Sequence, residues 1–105
     1  MENQHRHIKG YSELNENDIA LMNEIKELGA RIQEVSGKVR AHIDQQYVEC
    51  REDLGTGDEA LEAKAKNEME RLLAADPYKW LNWGTDSMQS ALMYMTRAVA
   101  QPTSF

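Results

Sequence analysis

Leu21, Ile25, Leu28, Ile32, Val35 and Val39 fall alternately four and three residues apart, and Ile43 and Tyr47 continue the row at intervals of four. A stripe of this kind runs along one side of an α-helix, and it constrains the fold more than any other feature of the chain. Asn15 stands where such a helix begins, as a residue type that caps backbone N–H groups, and the acids Glu16 and Asp18 suit the positive end of the helix dipole. A helix from Glu16 to about Cys50 would be about 50 Å long, whereas a compact globule of about 100 residues has a radius of gyration near ~13 Å. The expected shape is elongated. Gly29 and Gly37 lie inside the pattern; each lowers helix propensity by about 1 kcal/mol and admits a kink or the close approach of another backbone.

The stretch Leu54-Gly55-Thr56-Gly57-Asp58 is the clearest turn, since two glycines so close together are costly within a helix. Glu59 to Ala75 is rich in helix formers, with Leu61, Ala65, Met69 and Leu72 on one face. Asp76-Pro77 reads as an N-cap followed by proline at the first helical position, which starts a third helix at an angle to the second. Trp80, Leu81, Gly84, Met88, Ala91, Leu92, Met95, Ala98 and Val99 share a face until Gln101-Pro102 stops the helix, and Gly84 on that face would allow close helix approach. The expected fold is all-α: one domain over residues 1–105, with a polar, aperiodic arm at 1–14 and an elongated helical hairpin at 15–105 whose C-terminal helix is kinked. The long apolar faces exceed what one partner helix could cover, so the hairpin is expected to assemble through helix packing into an oligomer.

The 105 residues carry a formal charge of −6, which excludes a broad cationic surface for gripping DNA by counterion release. Cys50 is the single cysteine, so there is no internal disulfide framework, and a reducing compartment suits the chain. No apolar run approaches the roughly 20 residues of a membrane span, and the N-terminus lacks the apolar centre of a secretory signal. A soluble, intracellular protein is expected.

His5, His7, His42 and Cys50 are competent metal ligands by type, but no paired spacing recurs along the chain, and no metal or other cofactor is expected. A nucleophile would need a poised base beside it, and neither a nucleophile elbow nor a glycine-rich phosphate loop is present. Glu13, Glu16 and Asp18 serve a helix start better than an acid–base pair. No catalytic residue is expected.

The segments MENQHRHIKGY, LNENDIALMNEIKELGA and MQSALMYMTRAVAQPTSF resemble the phage anti-CBASS protein two family of cyclic-oligonucleotide sponges, whose hairpin domain is shared with phage anti-Thoeris sponges. The resemblance covers both ends of the chain and is weaker over residues 40–75. It implies a small helical hairpin protein that withholds cyclic oligonucleotide messengers from bacterial immune effectors without cleaving them, in the cytoplasm of the infected host. It further implies hexamers that bind cyclic dinucleotides such as 3′,3′-cGAMP between pairs of protomers, and a second site for cyclic trinucleotides. The tyrosine of the KGY-like turn and the lysine of the NEIK-like segment carry over as Tyr11 and Lys26. Thr85 and Arg97 in the third helix are the candidates for the trinucleotide site. Cyclic ADP-ribose isomers are another cargo that related sponges accept.

The chemistry of these positions agrees. A tyrosine face contributes about 1–3 kcal/mol per stacked base, and a hydrogen bond from lysine to a charged group roughly 1.5–3 kcal/mol. Nanomolar capture corresponds to about −12 kcal/mol, so two copies of each contact around a ligand with two bases and two phosphates are needed, as a two-fold interface would supply. Gly10 permits the turn that presents Tyr11, while Arg6, His7 and Lys9 bias the local potential toward phosphate. Lys26 lies about 16 Å along the helix from Asn15, so either the arm doubles back at Gly10 or the two residues of one pocket come from opposing chains. Without the resemblance, Lys26 reads as a solvated charge and Tyr11 as a staple. The competing functions are a helical interaction protein with no small ligand and a phosphodiesterase that destroys the messenger.

Overall fold

A computed structural model describes residues 14–104. Among them there are three helices and no strand: α1 (Glu16–Leu54), α2 (Glu59–Ala75) and α3 (Pro77–Ala100). The all-α expectation holds, and the second and third helices follow the expected boundaries. The first runs past Cys50 to Leu54, because the charged residues 51–53 continue the helix up to Gly55.

Each helix end is explained by local chemistry. The Asn15 side chain accepts from the Asp18 N–H at 2.9 Å while Asp18 Oδ2 accepts from the Asn15 N–H at 3.1 Å, a reciprocal capping box that satisfies two N–H groups at the start of α1. Asp58 Oδ1 accepts from the N–H groups of Ala60 and Leu61, and Glu62 reaches back to the N–H of Gly57, whose φ of 80° favours glycine. Asp76 departs from the expected N-cap. Its φ of 49° is left-handed, and its N–H closes α2 by donating to the Leu72 carbonyl at 2.9 Å. Pro77 then opens α3, as expected, and this break is the kink of the C-terminal helix. Gln101, with φ 53°, ends α3 just before Pro102.

The described residues pack as two compact units, 14–33 with 86–104, and 34–85. In the unit of residues 34–85 the buried apolar residues are Ile43, Cys50, Ala65 and Leu72. They form two pairs at heptad spacing, the interval at which one helix meets another along a seam. Residues of α1 are also tied to the start of α3. Tyr47 and Tyr78 stack with centroids 5.7 Å apart and planes at 9°, and the Tyr78 hydroxyl donates to Asp44. Arg40 lies over the Tyr78 ring at 5.7 Å and donates to Asn82 at 2.9 Å. Among the described residues nothing lies within 4 Å of a Cβ added at Gly84 or Gly37, so no described helix of the same chain makes the close approach that Gly84 would allow.

The unit of residues 14–33 and 86–104 has no fully buried residue among those described. Its helices meet closely at Gly29, where an added Cβ would stand 3.3 Å from Leu92 Cδ1. Leu21, Ile25, Leu28, Met95 and Val99 line an apolar groove of about 350 Å³ in this unit. Leu21 and Leu28 remain 40% and 44% exposed, although both belong to the stripe that specifies the helix. A single partner helix thus leaves part of that face open.

Candidate functional site

In the same unit a second groove, of about 890 Å³, is walled by α1 residues Ile25, Lys26 and Gly29 and by α3 residues that include Leu92, Met93, Tyr94 and Arg97. Positions 89, 93, 96, 97 and 100 recur at helical intervals, so their side chains share one side of α3. Lys26 follows Ile25 directly, and the 100° step between them carries it from the apolar stripe to the groove. Gly29 is one turn further on. With only a hydrogen in place of a side chain, it keeps the groove open above Leu92.

Lys26 and Arg97 are the cations of this groove, one from each helix. The Lys26 ammonium has no hydrogen-bond or ion-pair partner among the described residues. The Arg97 guanidinium donates to the Ser104 carbonyl at 3.4 Å, which tethers the segment after α3 beside the groove. Thr96 turns its hydroxyl back to the Leu92 carbonyl at 2.9 Å, leaving its methyl group available to the lining. The result is a mostly apolar surface with cations from two helices, an arrangement able to hold a flat apolar group and an anion together.

The structure brings two of the sequence-derived candidates, Lys26 and Arg97, to one groove. Thr85 belongs to the other unit, where its hydroxyl donates to the Leu81 carbonyl at 2.9 Å and lies 3.5 Å from Ser36 Oγ. Gly10 and Tyr11, together with His5, Arg6, His7 and Lys9, lie outside the described residues. Sequence reasoning missed Gly29, Met93 and Tyr94 as lining residues. The i, i+4, i+8 spacing of Gln89, Met93 and Arg97 was a usable signal, masked by the stronger apolar stripe beside it.

Among the described residues, no group of three or more His, Cys, Asp or Glu is arranged to hold a metal ion. Burial raises the pKa of the Cys50 thiol, reinforced by Glu68, Asp53 and Glu49, so the group is a packed thiol and not an activated thiolate. No described helix is long and apolar enough to cross a membrane.

No protein-family model matches the chain. The chain is similar to Anti-CBASS protein 2 of Pseudomonas phage JBD67, at 32% identity over 105 residues, covering 97% of each chain. Similarity at that level, spanning nearly the whole of both proteins, means that this chain belongs to the anti-CBASS protein 2 family.

Proposed function

We propose that this protein binds cyclic oligonucleotide messengers, holds them uncleaved, and so blocks CBASS signalling in the infected bacterial host. The observation that carries this is the shared groove of Lys26 and Arg97: two cations from different helices on an otherwise mainly apolar surface. Its volume of about 890 Å³ lies within the roughly 300–1,000 Å³ usual for small-molecule sites. Lys26 serves a phosphate, and Arg97, which lines the same groove, serves the same ligand. Tyr11, a ligand contact that the family resemblance implies, adds a stacking face. Cyclic dinucleotides such as 3′,3′-cGAMP are the first cargo and cyclic trinucleotides the second.

The protein acts as a homo-oligomer, a hexamer as the family resemblance implies. Support comes from Leu21 and Leu28, spaced at a heptad and each at least two-fifths exposed. Such a pair is costly to leave in water and suits a helix of another copy.

The test is to mix purified protein with 3′,3′-cGAMP, remove unbound ligand by filtration, denature the retentate and identify what is released. Intact ligand from wild type, and none from Lys26→Ala or Tyr11→Ala at unchanged helicity and mass, is the expected result. Linear or hydrolysed product would replace the sponge with a phosphodiesterase. Failure to retain any cyclic di- or trinucleotide would leave a helical interaction protein.

A further inference from the structure

Tyr94 is 70% exposed, the most open of the large apolar and aromatic side chains described, and it lines the groove that contains Lys26 and Arg97. The aromatic pairs among the described residues are Tyr47 with Tyr78 and Trp80 with Trp83, so the Tyr94 ring is stacked on no other described ring. Met93 beside it is 65% exposed and lines the same groove. Two large, adjacent side chains are thus presented to water at the groove that Lys26 and Arg97 line from two helices. Arg97 follows Tyr94 by three residues, about one helical turn, so the ring and the cation line the same groove from neighbouring positions of α3. A planar, electron-rich face next to a cation is what a base linked to a phosphate requires, because the base stacks while the phosphate stays within reach of the charge.

We propose that Tyr94 is a base-stacking wall of this groove and contacts the bound nucleotide directly, with Met93 completing the apolar side and Arg97 and Lys26 holding the phosphate. This rests on the cyclic-nucleotide reading above and extends it to a residue which that reading does not use. Removal of the ring loses the stacked face, whereas removal of the hydroxyl alone keeps it.

Calorimetric titration of 3′,3′-cGAMP into wild type, Tyr94→Phe, Tyr94→Leu and Tyr94→Ala, with the mass of each assembly measured in parallel, decides the matter. The expected result is affinity within about twofold of wild type for Tyr94→Phe, and a loss of about tenfold or more for Tyr94→Leu and Tyr94→Ala, at constant mass. Leucine is the informative variant, because it fills space and repels water but has no π face. Equal affinity across the series would overturn the proposal while leaving the sponge intact. A change of mass that accompanies the loss of binding would overturn it as well, assigning Tyr94 to a contact between copies. If wild type itself binds no cyclic di- or trinucleotide, the functional reading fails and this one with it.

Discussion

A Cβ on Gly29 would stand 3.3 Å from Cδ1 of Leu92, tighter than an ordinary van der Waals contact. The two residues are therefore matched, a missing side chain on α1 facing a full one on α3, and the groove of Lys26 and Arg97 opens beside them. Gly29→Ala gains about 1 kcal/mol of helix propensity and asks Leu92 to shift by a few tenths of an ångström, so its effect on the thermal midpoint is expected to be small. Gly29→Leu fills the groove instead. Binding of 3′,3′-cGAMP should weaken by about tenfold or more, roughly 1.4 kcal/mol, with the helical circular dichroism spectrum preserved. Wild-type affinity in Gly29→Leu would place the ligand elsewhere.

Leu21 and Leu28 occupy one edge of α1 and line an apolar groove with Met95 and Val99. Replacing Leu28 with Glu places a charge where a second copy would seat a helix, and desolvating it there is unfavourable. The sedimentation mass should fall below that of wild type. An unchanged mass would separate this exposed edge from self-association.

The helices were legible because their signals are local. The 3.6-residue period, the capping box at Asn15 and Asp18, the glycine turn and Asp76-Pro77 each act over a few residues. Asp76 shows the limit of such signals, since the same dipeptide can begin one helix or end another, and the left-handed conformation that closes α2 depends on the chain before it. Cys50 as a core residue and the meeting of Lys26 with Arg97 were not legible, because both depend on the register of helices far apart in sequence. Glycine illustrates the same point. Gly29, Gly37 and Gly84 look alike in the sequence, yet among the described residues only Gly29 has a neighbour that its missing side chain accommodates.

Tyr78 donates its hydroxyl to Asp44 and stacks on Tyr47. That hydrogen bond, then burial and the Asp44 charge, raise the pKa of the phenol above its ordinary value, against the opposing pull of Arg40. A group with a raised folded pKa stabilises the fold fully below its unfolded value, near pH 10, and loses that contribution as pH climbs through the folded value. Glu68 behaves in the opposite sense. Its hydrogen bond to Arg71 lowers its pKa, so its contribution is present above the ordinary carboxylate range and is lost on acidification. Stability measured against pH should therefore fall at both ends. Tyr78→Phe should flatten the alkaline limb and leave the acid limb unchanged, and an alkaline limb that survives in Tyr78→Phe would assign it to another group.

Cys50 is only 4% exposed, packed at heptad distance from Ile43. Burial first, then the carboxylates of Glu68, Asp53 and Glu49, raise the pKa of its thiol, so the reactive thiolate is scarce at neutral pH and a reagent also lacks access. Modification by a disulfide reagent at pH 8 should be far slower than in the denatured chain, and its rate should follow the opening of the unit formed by residues 34–85. Two substitutions separate packing from chemistry. Cys50→Ala removes a small apolar volume, whereas Cys50→Ser buries a hydroxyl in its place, at a cost of about 1–3 kcal/mol unless it finds a partner. The serine variant should therefore be the less stable of the two, and both should capture 3′,3′-cGAMP like wild type, since Cys50 lines neither groove of the other unit. Fast labelling of the native protein, or loss of capture in the alanine variant at unchanged stability, would show that the thiol does more than fill the core.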